Sequence, residues 1–522
     1  MKIQSLTQKL AAGLFALGLF AGSVAMNPAP VKAAEPDPTI IYSTFVGEIS
    51  SDYIRDTALD SQGNLYVAGY TYSKNLGGSS NPVKGYSDAF VGKLNPDGSA
   101  WQWITYIGGN QSEEGYALVV GKDAVWVTGY TDSPDYPTTA NAQQRTFGGY
   151  YDVLLARLDP ATGAVNYSTY YGHDMRDEGR DLALDAQGNV YVTGINNSGN
   201  VLALKVTGEA NPKVVYEVQW GDDWGQDIGY GIAVDKVGHA YITGMTENSP
   251  SGTTFPIKPG ALQSKCGPYT YSNGESSCTT DAFLSILNAE GTELLYSSLL
   301  GGSGGPELSS GSDEARAIAL DAQGNIYLTG MSYAADFPTV NAAYPNYPDA
   351  TNMADVWVTK LTPNGKTILY STYLGGDSDD EGSSITTDGK GNAYVLSQSR
   401  STDFPTLKAL QSNLGKGGIC FSGSTVRACY DNAITKLSPT GAVRWSTYLG
   451  HGFDEFGYGI TRDQAGSIYV VGNTESPEYP TTNGAIQRQW GGNEDGFITQ
   501  LSEGGEDVPG GTVSLFLPLV ER

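Results

Sequence analysis

The chain has 522 residues, with 68 Gly and 25 Pro, and carries 30 Lys and Arg against 56 Asp and Glu, a formal net charge of −26. A field of that sign repels nucleic acid and anionic lipid, so neither is expected as a partner. Turn-forming residues this dense, with no amphipathic helical period beyond the N-terminus, exclude a helical fold and point to an all-β chain.

In chain order, residues 1–33 read as a secretory signal peptide. Lys2 and Lys9 form its basic start, Ala11 to Met26 its apolar stretch, and Val31-Lys-Ala33 a small-residue cleavage site, with Ala25 a second possible cut. The apolar run is short for a bilayer, so no transmembrane span is expected in the mature chain. A lone strand follows, Ile40 to Gly47. Then one phrase recurs seven times. Its clearest copy is Tyr370-Ser-Thr-Tyr-Leu-Gly-Gly376, followed by the acidic Asp379-Asp-Glu-Gly382. A small apolar run ending in Asp comes next, as in Ala317 to Asp321, then a Gly-Asn turn and a strand such as Ile326 to Gly330. The landmark aromatic of that strand is Tyr66, Trp126, Tyr191, Tyr241, Tyr327, Tyr394 and Tyr469. A period of this length means one supersecondary unit per repeat, with insertions of variable length.

Each unit holds four short β-rich runs, A to D. In the fifth, A is Ala317 to Asp321, B is Ile326 to Gly330, C is Val356 to Leu361 and D is Ile368 to Leu374. The A–B turns read Gln-Gly-Asn and the C–D turns Pro-x-Gly, which supply the φ values tight hairpins need. Seven such units make a seven-bladed β-propeller of four-stranded antiparallel blades. The seventh repeat has A, B and C but no Tyr-Ser-Thr strand. The strand at Ile40 is therefore expected to complete it and close the ring, which removes two open sheet edges. The expected organisation is a propeller over 38–501, an acidic Gly-rich linker over 502–511 and an apolar tail over 512–522.

These motifs resemble the SBBP family of bacterial β-propeller repeats. The resemblance rests on Tyr-Ser-Thr-x-Leu-Gly-Gly, Asp-Glu-Gly, Gly-Asn-x-Tyr-Val-Thr-Gly and Asp-Phe-Pro-Thr, and runs from Ile40 to about Leu501. The third repeat departs from it: it lacks Phe-Pro-Thr and passes quickly from Gly194 to Val201. The resemblance implies an exported, often cell-surface protein and no defined reaction. The tail Thr512 to Arg522 resembles the short Leu-Pro-Leu-Val tails of some exported bacterial proteins. It reads either as an envelope-retention signal or as an extra edge strand.

Four cysteines fit export. Cys266 with Cys278, and Cys420 with Cys429, each lie in one B–C insertion, and a disulfide is expected in each. All long insertions join B to C, on the same face as the D–A crossings, so that face is the expected binding face. The crossings carry acids that approach the channel mouth: Glu113, Glu114, Asp177, Glu178, Asp313, Glu314, Asp379, Asp380, Glu381, Asp454 and Glu455, with Asp52, Asp222, Asp223 and Asp227 beside them. A carboxylate ring there could hold Ca²⁺ or receive a cationic ligand. The preferred reading is structural, with each acid bracing a turn through backbone N–H groups, because the pattern repeats blade by blade. No other cofactor is expected. The Phe/Tyr-Pro-Thr rings are expected to plug the blades. His173 and His451 replace the second Gly of the Gly-Gly step, and His239 lies in an A–B turn.

The expected function is an exported, non-enzymatic propeller that binds a protein or polysaccharide through its long B–C and D–A loops, as a monomer. The alternatives are an extracellular lyase or hydrolase with its site at the channel mouth, and a structural envelope protein.

Overall fold

The computed structural model describes residues 37–503, apart from 79–82, 223–224, 249–253, 267, 271–275, 279, 304–311, 349–352, 417 and 423–424. The expected signal peptide, the tail, all of the linker beyond 503 and Asp223 lie outside the described residues. Seven four-stranded antiparallel sheets follow one another along the chain. Blade 5 is typical, with Asp313–Leu320 as strand A, Ile326–Ser332 as B, Asp355–Leu361 as C and Ile368–Leu374 as D. Among the described residues the one helical turn is a 3-10 turn at Leu76–Gly78. Strand A is innermost, and each strand A packs against those of the two flanking blades.

The ring closes as the incomplete seventh repeat requires. Thr39–Val46 pairs antiparallel with Asp495–Ser502, setting Ile40 opposite Leu501 and Phe45 opposite Phe497. Strand C of that blade ends one residue beyond the expected boundary. Glu503 follows it and pairs with Lys436 at 2.8 Å, so the acidic segment begins as part of the propeller.

The recurring motifs turn out to be halves of blade-to-blade contacts. The Tyr of strand D packs against the Gly of the next blade's C–D turn, as Tyr370 does on Gly441 and Tyr296 on Gly365. Those glycines have φ of 86° and 71°, and a side chain there would strike the ring. The landmark Tyr of strand B works on the same face. The Tyr327 hydroxyl lies 3.0 Å from Asp321 Oδ2 and 2.8 Å from the Gly391 carbonyl of blade 6. Tyr191 repeats this with Asp185 and Gly238, and Tyr66 with Asp60 and Pro160. In blade 3 the B–C connection is only the turn 196–200, as its missing motif implied.

A chain beginning at Asp52 lacks the closing strand. It exposes the partners of Ile40, Tyr42, Phe45 and Val46, all buried here, at about 1.5–3 kcal/mol for each large side chain. Its thermal midpoint should fall sharply, with aggregation. An unchanged midpoint would contradict ring closure.

Candidate functional site: the channel and its loop-bearing mouth

The first acid of each strand A is a joint between blades. Asp380 accepts the Gly376 N–H at 2.8 Å and the Ser401 hydroxyl at 2.7 Å. Glu113 accepts the Gly109 N–H at 2.8 Å and the Thr131 hydroxyl at 2.5 Å. Glu455 does the same with His451 N–H and Thr474, Asp177 with the N–H groups of His173 and Asn197, and Asp52 with Glu48 N–H, Thr71 and Ser73. Asp313 takes the Gly302 N–H and Asp227 that of Asp222. Each carboxylate thus ties the crossing that enters its blade, and in most blades also the end of its own strand B. His173 and His451 contribute here through their backbone N–H groups. His239 instead bonds Asp235 across its A–B turn, on the opposite face, at 2.9 Å.

The sequence places these acids in the crossings. The structure corrects this: Glu113, Glu114, Glu178, Asp313, Glu314, Asp380, Glu381 and Glu455 are the first residues of strand A, and Asp177, Asp379 and Asp454 stand immediately before it. The reason is a β-bulge in every strand A, between residues 54 and 56, 115 and 117, 179 and 181, 229 and 231, 315 and 317, 382 and 384, and 457 and 459. The extra residue breaks the apolar alternation by which a strand is recognised.

At most junctions a second buried carboxylate, from the start of strand C, faces the first across the glycine that ends strand D. A Cβ on Gly108 would strike both Asp88 and Glu113; one on Gly450, both Asp431 and Glu455; one on Gly301, both Asp281 and Asp313. In blade 3 the partner of Asp227 is Asn200. Burial pushes these carboxyls up: Asp52 and Asp152 to about 6, Glu113, Asp227, Asp380 and Asp495 to about 7, and Asp313 well above the ordinary range. Asp431 and Glu455 are both raised by burial, and Glu455 further by the charge of Asp431, so the two titrate as a pair.

The remaining acids anchor loops and arginines. Asp454 accepts both Nη atoms of Arg427 at 2.9 and 2.7 Å and the Tyr430 N–H. Asp379 pairs with Arg400 and accepts the Ala354 N–H. Tyr430 and Ala354 are the last residues of their B–C loops. Glu178 pairs with Arg176 and Arg180; Glu314 and Glu381 both pair with Arg316.

The bulged residues themselves were missed by the sequence reading. They are Arg55, Tyr116, Arg180, Tyr230, Arg316, Ser383 and Tyr458, and all seven line one cavity of about 380 Å³ in the channel. The signal was present as a single variable position one residue after Ile, Gly or Ala in each acidic motif. Two tyrosine ladders lead to this ring from the rim. Tyr86, 73% exposed, contacts Tyr72, then Tyr70, then Tyr53, with centroids 5.3, 6.1 and 4.5 Å apart. Tyr150, 68% exposed, contacts Tyr151, then Tyr130, then Tyr116, at 4.6, 4.6 and 5.8 Å.

The loop-bearing face carries both disulfides, Cys266–Cys278 and Cys420–Cys429, each joined to a short two-stranded hairpin. Asp454 lies beside the second, whose sulfurs are bonded to each other and offer no thiolate. The Phe/Tyr-Pro-Thr rings are core. Tyr136, Phe255, Phe337, Phe404 and Tyr479 are buried, and Phe337 stacks on Trp357 at 4.8 Å.

Comparison with known proteins agrees with this architecture. The SBBP beta-propeller repeat family matches residues 41–77, 218–250, 295–338, 369–405 and 444–477. Five stretches of the chain thus match the SBBP beta-propeller repeat. No curated protein matches. Among solved structures, a protein of unknown function from Dyadobacter fermentans is 10% identical with a TM-score of 0.43, covering 90% of this chain and 99% of its own. The quinohemoprotein alcohol dehydrogenase of Comamonas testosteroni is 11% identical with a TM-score of 0.39, covering 91% and 78%. A PL25 ulvan lyase is 8% identical with a TM-score of 0.39, covering 83% and 92%. None of the three bears on the chemistry of this chain.

The raised carboxyls set the direction of the pH dependence. Each binds its proton more tightly folded than unfolded, so its stabilisation is complete below about pH 4 and is lost as pH rises through 6 to 7. Asp60, Asp321 and Asp388 run the other way. Burial opposes their charge, but the bonds from Asn64, Asn325 and Asn392 outweigh it and hold them below the usual range. Their contribution is lost only in stronger acid. The melting temperature should therefore fall between about pH 5 and pH 8, and Glu113→Gln should flatten that slope. A midpoint that rises with pH across this window would contradict the assignment.

Proposed function

We propose that this chain is an exported, non-enzymatic binding propeller whose loop-bearing face docks a protein partner. The observation that supports this most directly is the blade 6 insertion. Its hairpin pairs Cys420–Ser422 with Thr425–Arg427, and the Cys420–Cys429 bond staples its base. Its apolar side chains point to water: Ile419 is 61% exposed, Phe421 59% and Val426 65%. A rigid, exposed apolar cluster of this kind suits a protein interface, because little ordering entropy remains to oppose association. Ile49, Met175, Tyr86 and Tyr150, on crossings and loops of other blades, are also exposed. Two disulfides and the SBBP repeats fit an extracellular setting, and no helix among the described residues is long and apolar enough to cross a membrane. In this reading the junction carboxyls hold protons and turns rather than Ca²⁺, so EDTA or added Ca²⁺ should leave the melting temperature unchanged.

Replacing Ile419, Phe421 and Val426 together with Ser tests the interface. The side chains are exposed, so the melting temperature should hold, while binding to envelope fractions of the exporting cell should weaken at least about tenfold, as expected when buried interface anchors are lost. Protease treatment of the envelope should abolish the binding of unaltered protein. Binding that survives protease and disappears on periodate oxidation would identify a polysaccharide and overturn the protein-partner reading.

A further inference from the structure

We propose that the channel ring is a binding site for a small organic molecule bearing a carboxylate, with Arg55 as its principal contact. The inference is independent of the loop-face reading, since it concerns the cavity enclosed by the bulges.

Seven bulges direct seven side chains into one cavity, and every one of those side chains carries a hydrogen-bond donor. Three are guanidinium groups, three are phenols and one is the Ser383 hydroxyl. Two of the arginines are ion-paired: Arg180 with Glu178, which it shares with Arg176, and Arg316 with Glu314 and Glu381 at 3.2 and 2.8 Å. Arg55 makes no ion pair among the described residues. Its Nη2 donates to the Tyr70 hydroxyl at 3.0 Å, and its Nε is buried without a partner. Its charge rests against aromatic faces instead, 4.0 Å from the Tyr458 centroid, 5.3 Å from Tyr70 and 5.8 Å from Tyr53. Such contacts hold a guanidinium in place without consuming its donor fork.

The carboxylates nearby are already engaged. Glu494 accepts from the Tyr53 hydroxyl and from Asn473. Asp56 accepts the N–H groups of Thr57 and Leu118, and Asp181 those of Leu182 and Ile232, at 2.7 to 2.8 Å. Burial pushes Asp56 up to about 7 and Asp181 to about 8, which diminishes their repulsion of an anion near neutral pH. Asp56 and Asp181 themselves line the cavity, with both oxygens of each turned to backbone N–H groups, while Arg55 keeps a donor without a partner, an arrangement complementary to an oxyanion. The planar fork of Arg55 matches a planar carboxylate, and Tyr116, Tyr230 and Tyr458 give the body of such a ligand aromatic surface within the cavity. The volume of about 380 Å³ suits a molecule the size of a sugar acid.

Isothermal titration calorimetry on the full chain near neutral pH tests this with D-galacturonate and citrate as carboxylate probes, and D-galactose and sulfate as comparators. At least one carboxylate should bind saturably and more tightly than sulfate, and galactose should not bind. Arg55→Gln should weaken the carboxylate at least about tenfold, the scale of a lost charge-assisted contact. Tyr458→Phe and Tyr116→Phe, which each remove one hydroxyl, should weaken it a few-fold. Absence of saturable binding by both carboxylates overturns the proposal, as does sulfate binding equally well. Unchanged affinity in Arg55→Gln also overturns it. If that variant does not fold, unchanged affinity in both tyrosine variants does so.

Discussion

A buried carboxylate at the entrance of each strand A is the interaction on which this propeller depends. A blade has no covalent continuity with the next except through one crossing, and a crossing has backbone donors that no sheet can pair. Asp380, Glu113 and Glu455 answer that need by accepting a crossing N–H together with a hydroxyl from the end of strand B or just beyond it. A buried polar group is tolerated when it is bonded in this way. The Gly-Gly step follows from the same geometry, since two carboxyls close on the first glycine and leave no room for a Cβ.

Much of this was legible before any coordinates. Strand and turn signals repeated seven times resolve ambiguities that a single copy leaves open, and the missing seventh D strand pointed to Ile40 to Gly47, the strand that the structure bounds at Thr39–Val46. Other features were not legible, for identifiable reasons. The acids read as crossing residues because a bulge interrupts the alternation that marks a strand. The channel ring stayed hidden for the same reason: Arg55, Tyr116, Arg180, Tyr230, Arg316, Ser383 and Tyr458 occupy one structural position with three chemistries. Periodicity marks what a repeat conserves between its copies, whereas a ring site is built from what differs between them.

The two faces divide the work. On one, short A–B and C–D turns lock neighbouring blades through Tyr327 on the Gly391 carbonyl and Tyr370 on Gly441. On the other, long loops stand on anchored ends, Ala354 on Asp379 and Tyr430 on Asp454. A rigid frame with anchored, variable loops is the arrangement in which binding surfaces arise. The apolar hairpin of blade 6 and the tyrosine ladders of blades 1 and 2 are the features that break the sevenfold pattern there.

Hydrogen exchange at the crossing amides tests the central claim most directly. The N–H groups of Gly109, Gly376, His451 and His173 lie outside strands, and by position alone they should exchange like loop amides. If the strand A carboxyls hold the ring together, these amides should open only with the blades and show protection comparable to the neighbouring strand amides. Exchange at loop rates at those four positions, with the strands still protected, would contradict the account.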